Sequence, residues 1–186
     1  MRDAPESAQL IQAFANTVDV ETGTDEIETA STFDSWLRER GLLRGPRIDA
    51  ADHALGLRLR AGIREALGAH VGDEPDTAVQ QAASEALREL PVVVTADGHA
   101  PGTLVPAPQL SASRKALAAL AVAWSELTVT GDAVRLKRCS EHACAWVFWD
   151  TSKNRSGRWC SMRVCGNRAK ARRYAARQAA GTVRET

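Results

Sequence analysis

The residues with the clearest chemical potential are four cysteines spaced Cys139-x4-Cys144-x15-Cys160-x4-Cys165, with none in the 138 residues before them. Two close pairs joined by one loop can bring four thiolates around a single ion. Zinc accepts that set, because it has no geometric preference of its own and binds sulfur tetrahedrally at about 2.3 Å. Clustered thiols in a chain without an evident export signal point to metal rather than disulfides. The alternative is four buried, metal-free cysteines acting as small apolar residues. His142, inside the first pair, could replace a thiolate, but with four cysteines present it reads as an exposed turn residue.

These sulfurs need elements to hold them. Val134 to Lys137 and Trp146 to Trp149 are strand-like runs, which puts the first pair at a hairpin turn. Residues 161–180 read as a helix. Five residues advance a helix by roughly 500°, leaving Cys160 and Cys165 about 140° apart, so Cys160 must precede the helix and Cys165 enter near its first turn. The positive helix end favours thiolate there.

The same segment is basic. Residues 1–134 carry eleven Lys/Arg against twenty Asp/Glu, whereas residues 135–186 carry thirteen against three. Such asymmetry points the tail toward a polyanion. The candidate nucleic-acid contacts are Lys153, Asn154, Arg155 and Arg158 in the loop between the pairs, and Asn167, Arg168, Lys170, Arg172 and Arg173 on the helix. Winding that helix gathers Val164, Ala171, Tyr174 and Ala175 into one sector, expected to pack, with the cations elsewhere. Gly166 leaves room for the cysteine loop or for a phosphate. Trp146, Phe148, Trp149 and Trp159 either form a miniature core or stack on bases.

Upstream, apolar periodicity predicts helices over residues 8–19, 31–40, 49–70, 76–90 and from Ser111 or Ser113 to 127, with Ser31 or Thr32 capping the second and Gly41 stopping it. Val92 to Thr95, the Asp97-Gly98 turn signal and Leu104-Val105 predict a small hairpin. The fold class is therefore mainly α with a small β-hairpin: a helical N-terminal domain over 1–130, then a four-cysteine zinc module over 134–180 made of a β-hairpin and a basic helix. No low-complexity linker separates them, so the tail is expected to dock near the core.

The run Cys160-Ser161-Met162-Arg163-Val164-Cys165-Gly166-Asn167-Arg168, with Trp159 before it and Lys170 and Arg172 after, resembles the CGNR zinc finger family. Leu136 to Cys139, Trp146, Phe148, Asp150, Ser152, Asn154 and Arg155 extend the likeness over about residues 134–177. In that family the module follows a domain called ABATE, regarded as a stress-induced transcription regulator. Phe14 to Asp19 and Trp36 to Leu43 resemble two stretches of that domain. The resemblance implies zinc on Cys139, Cys144, Cys160 and Cys165, DNA contact by the basic residues, and an N-terminal domain that senses a small molecule or dimerises. Asn16, Asp19 and Trp36 are the candidate pocket residues, their other reading being cap and core.

The leading expectation is a DNA-binding transcriptional regulator. One finger covers little DNA, so a dimer on two half-sites is expected. An RNA-binding protein, or a protein-interaction or thiol-redox zinc module, are the competing readings. Catalysis is not expected, because four thiolates close the zinc shell and His53, His70 and His99 stand singly. No apolar run reaches the roughly 20 residues of a membrane span, and no secretory signal opens the chain, so the cytoplasm is the expected location.

Overall fold

The computed structural model describes residues 3–96 and 102–182. Helix α1 (Glu6–Ala15) is followed by a two-residue hairpin, β1 (Val18–Asp19) with β2 (Thr24–Asp25), and then by α2 (Ala30–Glu39), α3 (Ala50–Ala69) and α4 (Thr77–Arg88). A second hairpin, β3 (Val92–Val94) with β4 (Leu104–Pro106), leads to α5 (Ala112–Val129). A third, β5 (Leu136–Arg138) with β6 (Val147–Trp149), precedes the last helix, α6 (Asn167–Thr182).

Local chemistry sets most of these boundaries. Asp49, Asp76 and Ser111 cap α3, α4 and α5 by accepting N–H bonds from the first turn. Helix α2 departs from expectation: its cap is Thr29, with Thr32 completing a reciprocal capping box, rather than Ser31 or Thr32 itself. Gly41 ends that segment with φ 68°, as a left-handed stop requires. Helix α1 is shorter than its apolar period implied. It stops at Ala15, and Val18 belongs to a hairpin whose turn is closed by Asp19 accepting the Glu21 and Thr22 N–H groups. The Asp97-Gly98 turn signal lies outside the described residues.

One core serves nearly the whole chain. Ile11, Phe14, Phe33, Trp36 and Leu37 pack with Leu55, Leu59 and Ile63 of α3 and with Leu117, Leu120 and Leu127 of α5. Leu136 of β5 and Val147 of β6, both fully buried, join that same core. The cysteine-bearing hairpin is thus built into the helical domain rather than tethered to it. A second, small cluster holds Cys139, Cys144 and Cys165 with Phe148, Trp159 and Cys160 packed around them. No described helix is long and apolar enough to cross a membrane.

Candidate metal centre and basic helix

Cys139 leaves β5 with its N–H bonded to the Trp146 carbonyl, and a tight turn follows in which Cys144 and Ala145 both donate to the Glu141 carbonyl. Ala145 takes a left-handed φ of 47°, which reverses the chain into β6. Cys160 ends the long loop. Ser161 then caps a wide π-type turn, Met162–Gly166, that carries Cys165 and opens into α6. Cys165 therefore sits in that turn just before the α-helix, and Cys160 precedes both.

The four sulfurs all lie within 4.8 Å of one another, and the Cys144–Cys160 and Cys160–Cys165 pairs are each 3.7 Å apart. Sulfurs at about 2.3 Å from a central zinc would be about 3.8 Å apart at the corners of a tetrahedron. The donor set thus fits a zinc ion, which Cys139, Cys144, Cys160 and Cys165 would hold. Burial pushes the Cys165 thiol up to about 12. Burial, followed by the charge of Cys139, raises Cys160 as well. A divalent cation is the natural compensation for bringing such sulfurs together as thiolates. His142 is 78% exposed, 4.0 Å from an Asp73 oxygen and outside the sulfur cluster.

The loop between the pairs is ordered by a buried ion pair. Lys137 Nζ donates to Asp150 Oδ2 at 2.8 Å, with both side chains nearly inaccessible, and also to the Arg155 and Gly157 carbonyls. Asp150 accepts N–H bonds from Ser152 and Gly157 in turn. Burial alone would raise its carboxyl, but these donors, Lys137 foremost, hold it down at about 2. Lys153, Asn154, Arg155 and Arg158 are exposed on the outside of this folded loop.

The helix cations divide into two groups. Arg172 donates both terminal nitrogens to Glu141, which is only 2% exposed and is held ionised below its ordinary range by that guanidinium. Arg168 reaches Glu21 of the β1–β2 turn at 2.8 Å. These two side chains, four residues apart, clamp one side of α6 to the protein. Lys170, Arg173 and Arg177 project from the opposite side, at about 100° of turn per residue, around a shallow recess shared with Tyr174. Among the described residues no carboxylate pairs with these three. Asn167, the first residue of α6, is exposed and donates to the Arg163 carbonyl of the preceding turn.

One expectation needs correction. The sector of Val164, Ala171, Tyr174 and Ala175 does not pack: all four are exposed, Tyr174 at 68%. The face that docks is instead the charged one, because a buried glutamate supplies a stronger anchor for Arg172 than alanines would. Gly166 leaves room for the cysteine-bearing turn, one of its two expected uses, since an added Cβ would lie 3.0 Å from the Met162 sulfur. The aromatics resolve mostly to core. Phe148 and Trp159 cover the cysteines and Trp149 packs on the main core, while Trp146 keeps 37% exposure.

Asn16, Asp19 and Trp36 do not converge on one cavity. Trp36 is buried against Phe14 and Phe33, with the Arg40 guanidinium 4.0 Å above its ring, and Asp19 closes its turn. Asn16 does something that sequence reasoning missed. Its amide donates to the Val147 carbonyl and accepts the Val147 N–H, both at 2.8 Å, pairing with β6 as a strand would. His70 Nδ1 donates to the Leu136 carbonyl of β5 at 2.9 Å. Arg64, buried, donates to the carbonyls of Ala15 and Ala145. Arg138 spans Glu65 and Asp73 across Gly68, where a Cβ would fall 2.4 Å from its guanidinium. The apolar period of α3 gave no signal for this seam, because Arg64 falls between the apolar positions and His70 stands at the end of the helix.

A family model described as CGNR zinc finger matches residues 135–178, over the hairpin, the four cysteines and α6. Another, ABATE, described as "Putative stress-induced transcription regulator", matches residues 8–131, covering the helical domain. Among curated proteins, none matches the chain. Matched over well more than half its length and with its sulfurs gathered for one ion, the chain belongs to the ABATE family and carries a CGNR zinc finger after the ABATE domain.

Proposed function

We propose that this protein is a zinc-dependent transcriptional regulator of the cytoplasm that binds double-stranded DNA through the outer face of α6 and the adjoining loop. The observation that carries this reading is the sorting of cations on α6. Arg168 and Arg172 are spent on carboxylates, whereas Lys170, Arg173 and Arg177 face solvent together on a helix launched directly from the cysteine centre. A metal that fixes the start of the helix fixes the aim of those charges. The loop cations Lys153, Arg155 and Arg158 add to the same electrostatic footprint. The protein is a binding protein rather than an enzyme, since four thiolates leave a tetrahedral ion no position for substrate. The N-terminal domain carries the finger and supplies control.

Binding to duplex DNA measured against salt tests this. Six phosphate contacts give a slope of log K on log salt of about −5, and changing Lys170, Arg173 and Arg177 to Gln flattens it by about 2.7. Arg168→Gln and Arg172→Gln change it less, because their charge is already countered within the protein. A slope shallower than about −2, or an equal effect of both sets, removes the assignment. Competition with single strands and structured RNA at matched salt separates the DNA reading from an RNA one.

A further inference from the structure

The β3–β4 hairpin has an unprotected edge. The Ala107 N–H bonds to the Pro91 carbonyl and the Thr95 N–H to the Thr103 carbonyl. With the register Val93 to Val105, the alternation of an antiparallel pair turns the N–H and C=O groups of Val92 and Val94 outward, away from β4. Among the described residues no side chain or backbone group caps them. The strand itself is three valines, exposed by 36%, 41% and 65%. It has no lysine, internal proline or bulge, the usual devices that keep such an edge from pairing. On β4 the corresponding outward position is Pro106, which has no N–H, and β4 packs on α5.

Beside this edge runs a groove of about 390 Å³ lined by Leu87, Leu90, Val92, Leu104, Trp124 and Val129, among others, with no charged side chain in its wall. Val129 is 83% exposed. A second uncharged groove continues from it through the shared Leu87 and Trp124. Around it, the helical domain carries nearly twice as many acidic as basic residues. That excess makes two copies of the domain repel one another over most of their surface, and this uncharged patch is free of like charges.

We infer that the occupant of this surface is a second copy of the chain, joined by antiparallel pairing of β3 with the β3 of its partner about a two-fold axis at Val93. The geometry is self-complementary, as a two-fold interface must be. Val92 of one copy faces Val94 of the other in two hydrogen-bonded pairs, giving a four-stranded sheet β4-β3-β3-β4 with the valines of the two copies side by side and the flanking grooves on the same face. The surface shares no residue with the basic face of α6, so the dimer stands or falls independently of DNA binding.

Sedimentation of the zinc-loaded full chain from about 1 to 100 µM is the test. The wild type sediments as a dimer over the upper part of that range, and the Val92 and Val94 amides gain exchange protection as concentration rises. Val93→Lys places two ammonium groups opposite each other at the axis and raises the dissociation constant at least tenfold, with an unchanged circular dichroism spectrum and, at concentrations where both proteins are monomeric, an unchanged melting point. Val93→Glu does the same alone, and mixing the two variants restores the dimer. A wild type that is monomeric at 100 µM, or Lys and Glu variants that dimerise as well as the wild type, overturns the inference. The first result would leave the groove to a different protein or an apolar small molecule.

Discussion

Two hairpins with strands of three residues each meet different fates in this molecule. In β5–β6 the outward backbone groups are answered by side chains from the helical domain, Asn16 on Val147 and His70 on Leu136. Leu136 and Val147 are then fully buried in the main core. In β3–β4 the outward groups of Val92 and Val94 meet no such partner among the described residues, and the strand stays exposed. Hydrophobicity does not separate them, since the open strand is the more apolar of the two. What separates them is whether a polar side chain elsewhere in the chain is placed to end the ladder. The capped hairpin is a fixed mount for the cysteines; the uncapped one is a surface for another chain.

The strongest way to break the contrast is to take away the metal. Apparent zinc energies of about 10–16 kcal/mol in finger peptides rival the whole stability of an ordinary domain. Chelation, or Cys165→Ala, should therefore expose residues 135–178 to protease. Because Leu136 and Val147 belong to the shared core, it should also lower the melting point of the whole chain by about 10 °C or more. Exchange at Val92 and Val94 in dilute, monomeric protein should not change. Elemental analysis giving less than one zinc per folded chain would remove the premise.

A smaller change converts one edge into the other. Asn16→Leu keeps the side-chain volume but leaves the Val147 N–H and C=O unpaired, costing about 2–4 kcal/mol. Denaturant unfolding should show that loss, and the Val147 amide should become the fastest-exchanging position of β6. An unchanged midpoint would mean that Asn16 merely lies alongside the strand.

The smallest effect is acid-dependent and sharpens the reading of the loop behind β5–β6. Asp150 has its carboxyl lowered from 3.8 to about 2 in the folded protein. Its contribution to stability is fully present above pH about 4 and is lost as pH falls through about 2. The stability difference between wild type and Asp150→Asn should be constant from pH 7 to about 4 and shrink below that. A difference that grows on acidification would contradict the Lys137 pairing.

Much of the candidate site was legible in the residues. The cysteine spacing announced one tetrahedral donor set, because ligands in close pairs need only local reversals to converge. The helices of the first 130 residues followed from caps and apolar period, and the exposure of His142 followed from a ligand shell already filled. Less was legible where two signals competed. The apolar period of α1 ran on into Val18, but the side chain of Asp19 closed a turn instead.

The sequence by itself determined that a basic segment with four clustered cysteines follows an acidic helical domain, since cysteine spacing, charge and periodicity are local properties. Only the tertiary structure decided which cations of α6 remain available, which strand edge is closed, and where finger and domain are joined. Asn16 pairs with Val147 across 131 residues and Arg172 with Glu141 across 31. A single hydrogen-bonded partner at such separation leaves no periodic trace in the chain, because what selects it is the packing of the helices that bring the two side chains together.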